Sequence, residues 1–264
     1  MTAWTAGTLE ARGEIIVTPL RQVITGEHRE AVYEVSNPSS RTLMAEISWI
    51  DLKARESGYE PGDPDFRARM SAAPYLIVQP TYFHLEPGAR REVAVSLKNG
   101  AAPPRGERRS HLLIETRAAR TPLRKAGGMQ LDIDLGLSTP VILRDRQRAA
   151  KAQFGDTRLT RSADGFLVLE TFVRAAGDIS AYGRVVASLQ KHGEPTSVDI
   201  GQAENISAFI DADRRRVSVP LGYEHLPAGV LSMRFEGAAE FSGVVFDTRA
   251  FDVGPPSSSP KRER

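Results

Sequence analysis

The chain has 264 residues, 41% hydrophobic and 26% charged, an ordinary globular composition long enough for two domains with their own cores. That composition excludes wholesale disorder, and no apolar run approaches the roughly 18 residues a bilayer-spanning helix needs. Lys and Arg number 35 against 33 Asp and Glu, so the net charge of +2 demands no nucleic-acid partner, and with no cysteine there are no disulfides, thiolate metal sites or thiol nucleophiles. Residues 1–13 lack the lysine-rich start and apolar core of a secretory signal, which fits either a cytosolic protein or, the reading we prefer, a chain whose signal has been removed.

Taken in order, the chain is dominated by period-two alternation in short β-branched stretches divided by Gly, Pro, Asn and Asp turns, the pattern of an all-β protein with few helices. The first half predicts strands over 14–24, 29–35, 43–50, 74–78, 92–97, 109–115 and 129–137, the strand count of an immunoglobulin-like sandwich. Between them the stretches 37–40, 56–65, 86–88 and 99–106 read as turns and loops. The second half predicts strands over 166–174, 182–189, 207–210, 216–220, 231–235 and 244–252. The expected organisation is a flexible 1–13, a first sandwich over 14–144, a charged linker over 145–151, a second sandwich over 152–253 and a disordered Pro/Ser-rich basic tail over 254–264.

Enzyme motifs are absent: there is no phosphate loop, dinucleotide fingerprint, HExxH or GxSxG. His28, His84, His111, His192 and His225 stand singly, so no metal site and no cofactor is expected. Asp132 and Asp134 share a strand face, a pattern that usually means a solvated face, and Arg117, Arg120, Arg124 and Lys125 form a basic loop without the aromatic residues that base stacking needs. The most informative segment follows that loop. Met129, Leu131, Ile133, Leu135 and Leu137 alternate with Gln130, Asp132, Asp134 and Gly136, which makes one face an apolar ridge. The ridge either fills the core of its own sandwich or, on an edge strand, offers itself and its unpaired backbone to another protein by strand addition.

The order of several short pieces resembles the PapD-like periplasmic chaperones of fimbrial biogenesis, a two-domain immunoglobulin-like family. The pieces are Ile16-Val17-Thr18-Pro19-Leu20-Arg21, Val35-Ser36-Asn37, Pro80 with Phe83-His84-Leu85-Glu86-Pro87-Gly88, Arg109-Ser110-His111-Leu112 and Leu137-Ser138-Thr139-Pro140-Val141-Ile142. In the second half, 173–183 and 214–221 are similar to the divergent, archaic-like members.

The resemblance implies two sandwiches set at an angle, periplasmic residence, and a non-enzymatic chaperone with no cofactor. Such a chaperone lends the strand 129–137 to a pilus subunit that lacks its own last strand, then delivers the subunit to an outer-membrane usher. It further implies that Met129, Leu131, Ile133, Leu135 and Leu137 enter the client, that Arg21 holds the client's terminal carboxylate and that Arg144 serves the domain junction through an ion pair; whether the client-free protein caps its strand by self-association the sequence leaves open. The lysine expected beside Arg21 is absent, and the corresponding position reads Thr139-Pro140. Arg21 also admits reading as a surface arginine on an edge strand. The alternatives are an adhesive or structural module that binds carbohydrate or a surface protein and, further off, a hydrolase assembled from His84, His111 and Asp132.

Overall fold

The structure is a computed structural model that describes residues 15–118 and 135–254. The chain forms two compact units, one of residues as far as Leu52 with Pro61–Gln147, the other of Lys53–Glu60 with Arg148 onward. Both are all-β sandwiches of the immunoglobulin-like kind, each with one hydrophobic core between two sheets.

The elements are β1 (Ile16–Thr18), β2 (Gln22–Ile24), β3 (Glu30–Ser36), β4 (Leu43–Ile50), β5 (Leu52–Ala54), β6 (Tyr59–Pro61), α1 (Pro64–Met70), β7 (Leu76–Gln79), β8 (Tyr82–Leu85), β9 (Arg90–Leu97), β10 (Glu107–Ala118) and β11 (Leu135–Arg144). One sheet runs β1-β3-β9-β7 and the other β2-β11-β10-β4-β8. Alternate residues of the facing strands, among them Tyr33, Val35, Val93, Val95, Leu112, Ile114, Val141 and Leu143, fill the core between them.

Three expectations for this half need correction. The run 14–24 is not one strand: β1 pairs antiparallel with β3 in one sheet, while β2 pairs parallel with β11 in the other. Pro19, with no N–H to give to a ladder, stands where the chain changes sheets. The loop 56–65 contains β6 and leads into α1, whose Asp63 side chain accepts the Phe66 amide at 2.7 Å with Pro64 in the first turn. The last strand of this half does not end at 137 but continues to Arg144.

The second unit contains β12 (Ala152–Arg161), β13 (Leu167–Ala175), β14 (Ala181–Lys191), β15 (Val198–Ala208), β16 (Arg215–Pro220), β17 (Gly229–Gly237) and β18 (Val245–Val253). Its sheets run β12-β13-β16 and β15-β14-β17-β18 around a core that includes Phe154, Leu169, Val173, Val185, Met233 and Phe235. β12 was not expected from the sequence, and the strand placed at 207–210 is the end of the longer β15. Gly201 is required where β15 passes β16, because a Cβ there would stand 2.2 Å from the Pro220 carbonyl oxygen. The expected flexible stretch 1–13 and all of the tail except Gly254 lie outside the described residues.

Candidate functional site

β11 is the strand that carries the predicted ridge. It runs beside β10 throughout, with Leu135 opposite Thr116, Leu137 opposite Ile114, Thr139 opposite Leu112 and Val141 opposite Ser110. Near its end the strand serves the first unit's own core: Val141 and Leu143 are fully buried in it, Thr139 is buried and Leu137 packs half-buried against it. Met129, Leu131 and Ile133 lie outside the described residues, as do Asp132 and Asp134. On the side away from β10, β2 pairs only with Val141, Ile142 and Leu143. Among the described residues, the backbone from Leu135 to Pro140 therefore has no strand partner on that side.

Beside this edge the β1–β2 turn is fastened to β11. The Thr139 hydroxyl donates to the Leu20 carbonyl oxygen at 2.6 Å, and the Tyr33 hydroxyl, coming from β3, donates to the Pro140 carbonyl oxygen at 3.3 Å. Burial pushes the Tyr33 phenol above its ordinary pKa, against the lowering pull of the Thr139 hydrogen bond and of the Arg21 charge. Arg21 itself is 9% exposed and lies in the turn between strands, so its reading as a surface arginine on an edge strand is corrected. Where the resemblance anticipates a second cation, this chain has Thr139, whose hydroxyl holds the turn in place.

No family model matches the chain, and no curated protein does. Solved structures do match it. The YadV chaperone is similar over 90% of this chain and 100% of its own, at 10% identity and a TM-score of 0.45. A complex of the SafB chaperone with the SafA pilin of Salmonella enterica matches over 90% of this chain and 96% of its own, at 12% identity and 0.45. For the CupB2 chaperone of Pseudomonas aeruginosa the figures are 90% and 98%, at 15% identity and 0.41. The likeness is to fimbrial chaperones.

The other predicted residues separate into distinct environments. Arg144 is fully buried and its Nε donates to Glu107 Oε2 at 2.8 Å, across the last register pair of β10 and β11, with both partners in the first unit. Arg109 and His111 follow Glu107 on the same face of β10, both buried, with Arg109 donating to the Leu52 carbonyl oxygen at 2.9 Å. Burial, and then the Arg109 charge, lower the His111 pKa to about 3, so the imidazole is neutral. His84 is exposed on β8, two strands away and opposite Met44, while His111 lies opposite Ile50, so the structure does not bring the two histidines together. Among the described residues no three His, Asp or Glu side chains converge as a metal site would require.

Sequence reading missed Tyr33, Thr139 and the tie to Leu20, as well as the role of Asn37. The Asn37 amide donates to the carbonyls of Arg41, Leu85 and Glu86 at 2.7, 2.9 and 3.2 Å, locking two loops together. A fully buried asparagine must satisfy both ends of its amide, and Asn37 does. One signal for Tyr33 was available: a tyrosine at an inward position of a predicted strand needs a partner for its hydroxyl.

Proposed function

We propose that the protein is a non-enzymatic periplasmic chaperone that stabilises pilus subunits by donor-strand complementation and passes them to an outer-membrane usher. The supporting observation is the open edge of β11 from Leu135 to Pro140, in the chain directly after residues 129–134 of the alternating segment. A subunit lacking its last strand gains from such an edge both backbone pairing and, from Met129, Leu131, Ile133 and Leu135, aliphatic side chains worth about 1.5–3 kcal/mol each when fully buried. Leu137 contributes at the rim, since it also packs on the chaperone's own core. Arg21, in the turn that the Thr139 hydroxyl fastens to the same strand through the Leu20 carbonyl oxygen, supplies a guanidinium for the client's terminal carboxylate, with no neighbouring lysine. Arg144 keeps the end of β11 rigid through Glu107.

The test is co-expression with a pilus subunit that lacks its last strand. The wild-type protein is expected to protect the subunit as a one-to-one complex, and Ile133→Asp to lose the complex while its own unfolding free energy stays within about 0.5 kcal/mol of wild type, as surface changes do. Unfolding of the variant would show the ridge to be core. Unchanged capture would remove the strand-donation reading, and binding only of mature surface ligand would make the protein an adhesive module.

A further inference from the structure

The outer face of the three-stranded sheet in the second unit carries a charged cradle that does not involve β11. β16 is the edge strand there, and register places Phe172 of β13 opposite Arg216. The Arg214 guanidinium lies 4.0 Å from the centre of the Phe172 ring and that of Arg216 5.7 Å. Two guanidiniums on one aromatic face are oriented to receive a carboxylate.

Glu56, at the tip of the hairpin made by β5 and β6, occupies the cradle. Its carboxylate accepts from Arg214 Nε at 2.9 Å and Nη2 at 2.8 Å, and from Arg216 Nε at 3.1 Å and from Arg216 Nη2. The Arg216 amide also donates to the Glu56 carbonyl oxygen at 2.8 Å, the kind of bond by which an added strand reads a sheet edge. The occupied cradle is open to solvent: the Glu56 side chain is 30% exposed and both arginine side chains 48%, and Arg55, Ser57 and Tyr59 around it are exposed.

We infer that Arg214 and Arg216 over Phe172, with the adjoining edge of β16, form a binding site for an extended, glutamate-bearing segment of a partner protein, and that Glu56 fills it as an internal ligand. Being tethered, Glu56 acts at a high effective concentration, so only a tighter or locally concentrated acidic segment displaces it. The inference stands or falls independently of strand donation by β11.

The test uses the full chain and a labelled, end-blocked peptide of the hairpin sequence Lys-Ala-Arg-Glu-Ser-Gly-Tyr-Glu. Glu56→Ala empties the cradle and is expected to bind the peptide at least ten-fold more tightly than wild type does. Placing Gln for the first Glu of the peptide, or adding Arg216→Ala to the protein, is expected to abolish that gain. Hydrogen exchange at the Arg216 amide should quicken in Glu56→Ala and slow again with peptide, a readout confined to the site. Glu56→Gln provides the same comparison should the alanine variant lose the second unit's fold. Equal binding to wild type and variant, no binding to either, or binding indifferent to the peptide's glutamate would overturn the inference.

Discussion

His111 shows how one buried side chain ties the first unit to pH. In the unfolded chain a histidine takes up its proton near pH 6.5, whereas burial and Arg109 hold the folded one down to about 3. The folded-state pKa is depressed, so the stabilisation from keeping the ring neutral is whole above about pH 6.5 and is lost progressively as pH falls toward 3, with a slope of up to ~1.4 kcal/mol per pH unit. Urea unfolding followed by the fluorescence of Trp49, which packs on the first core, is therefore expected to show a midpoint that drops between pH 6.5 and 4.5. His111→Gln should flatten that dependence, and an equally steep fall in the variant would place the proton uptake elsewhere. None of this was legible in the sequence, where His111 was one of five scattered histidines: the strand was readable, but burial on the face of β10 turned away from the core was not. The resemblance gave Arg144 an ion pair at the domain junction, and its partner Glu107, in the same unit, became visible only through the register of β10 on β11.

At the scale of elements, alternation was informative wherever a strand buries one face and solvates the other, as β3, β9, β13 and β17 do. It failed for β12, whose outer half alternates polar residues around a register shift between Phe154 and Thr157, and for α1, whose seven residues bury only Phe66 and so leave no helical period to detect. It also joined β1 to β2, because an alternation that spans a proline does not reveal that the chain has moved from one sheet to the other. The hydrogen bond from Thr139 to Leu20 ties that crossover to β11, and Thr139→Val tests how much the tie contributes. Valine keeps the shape and removes the donor, leaving the Leu20 carbonyl oxygen without it, at a cost of about 1–2 kcal/mol. The expected signature is local: amide exchange quickens along β2 while the core strands β3 and β9 keep their protection. Unchanged exchange in β2 would mean that its parallel pairing with β11 holds the crossover unaided.

For the whole molecule, two sandwiches were legible from strand count and turn spacing, but the allegiance of 53–60 was not. These residues lie between two stretches of the first unit in sequence and belong to the second in space. The hairpin closes at its base, where the Gly62 amide donates to the Asp51 carbonyl oxygen at 2.8 Å, so the first unit does not need the loop to keep its chain ends together. Its tip serves the second unit: the Ala54 amide donates to Asp211 at 2.9 Å, Glu56 pairs with Arg214 and Arg216, and Tyr59 stands 6.2 Å from Phe209. Replacing 53–60 by a short Gly-Ser turn should therefore leave the transition reported by Trp49 unchanged and lower the second unit's melting midpoint. Each lost backbone hydrogen bond removes about 1 kcal/mol, and a kcal/mol moves the midpoint of a domain this size by roughly 4–8 °C, so a drop on the order of 10 °C is expected by calorimetry. The difference should also shrink as pH falls. The Arg216 hydrogen bond, with Arg214 beside it, holds the Glu56 carboxyl below its ordinary range, so the ion pair stabilises above that range and is lost once Glu56 takes up its proton. A fall confined to the first unit's transition would assign the hairpin to the wrong sandwich.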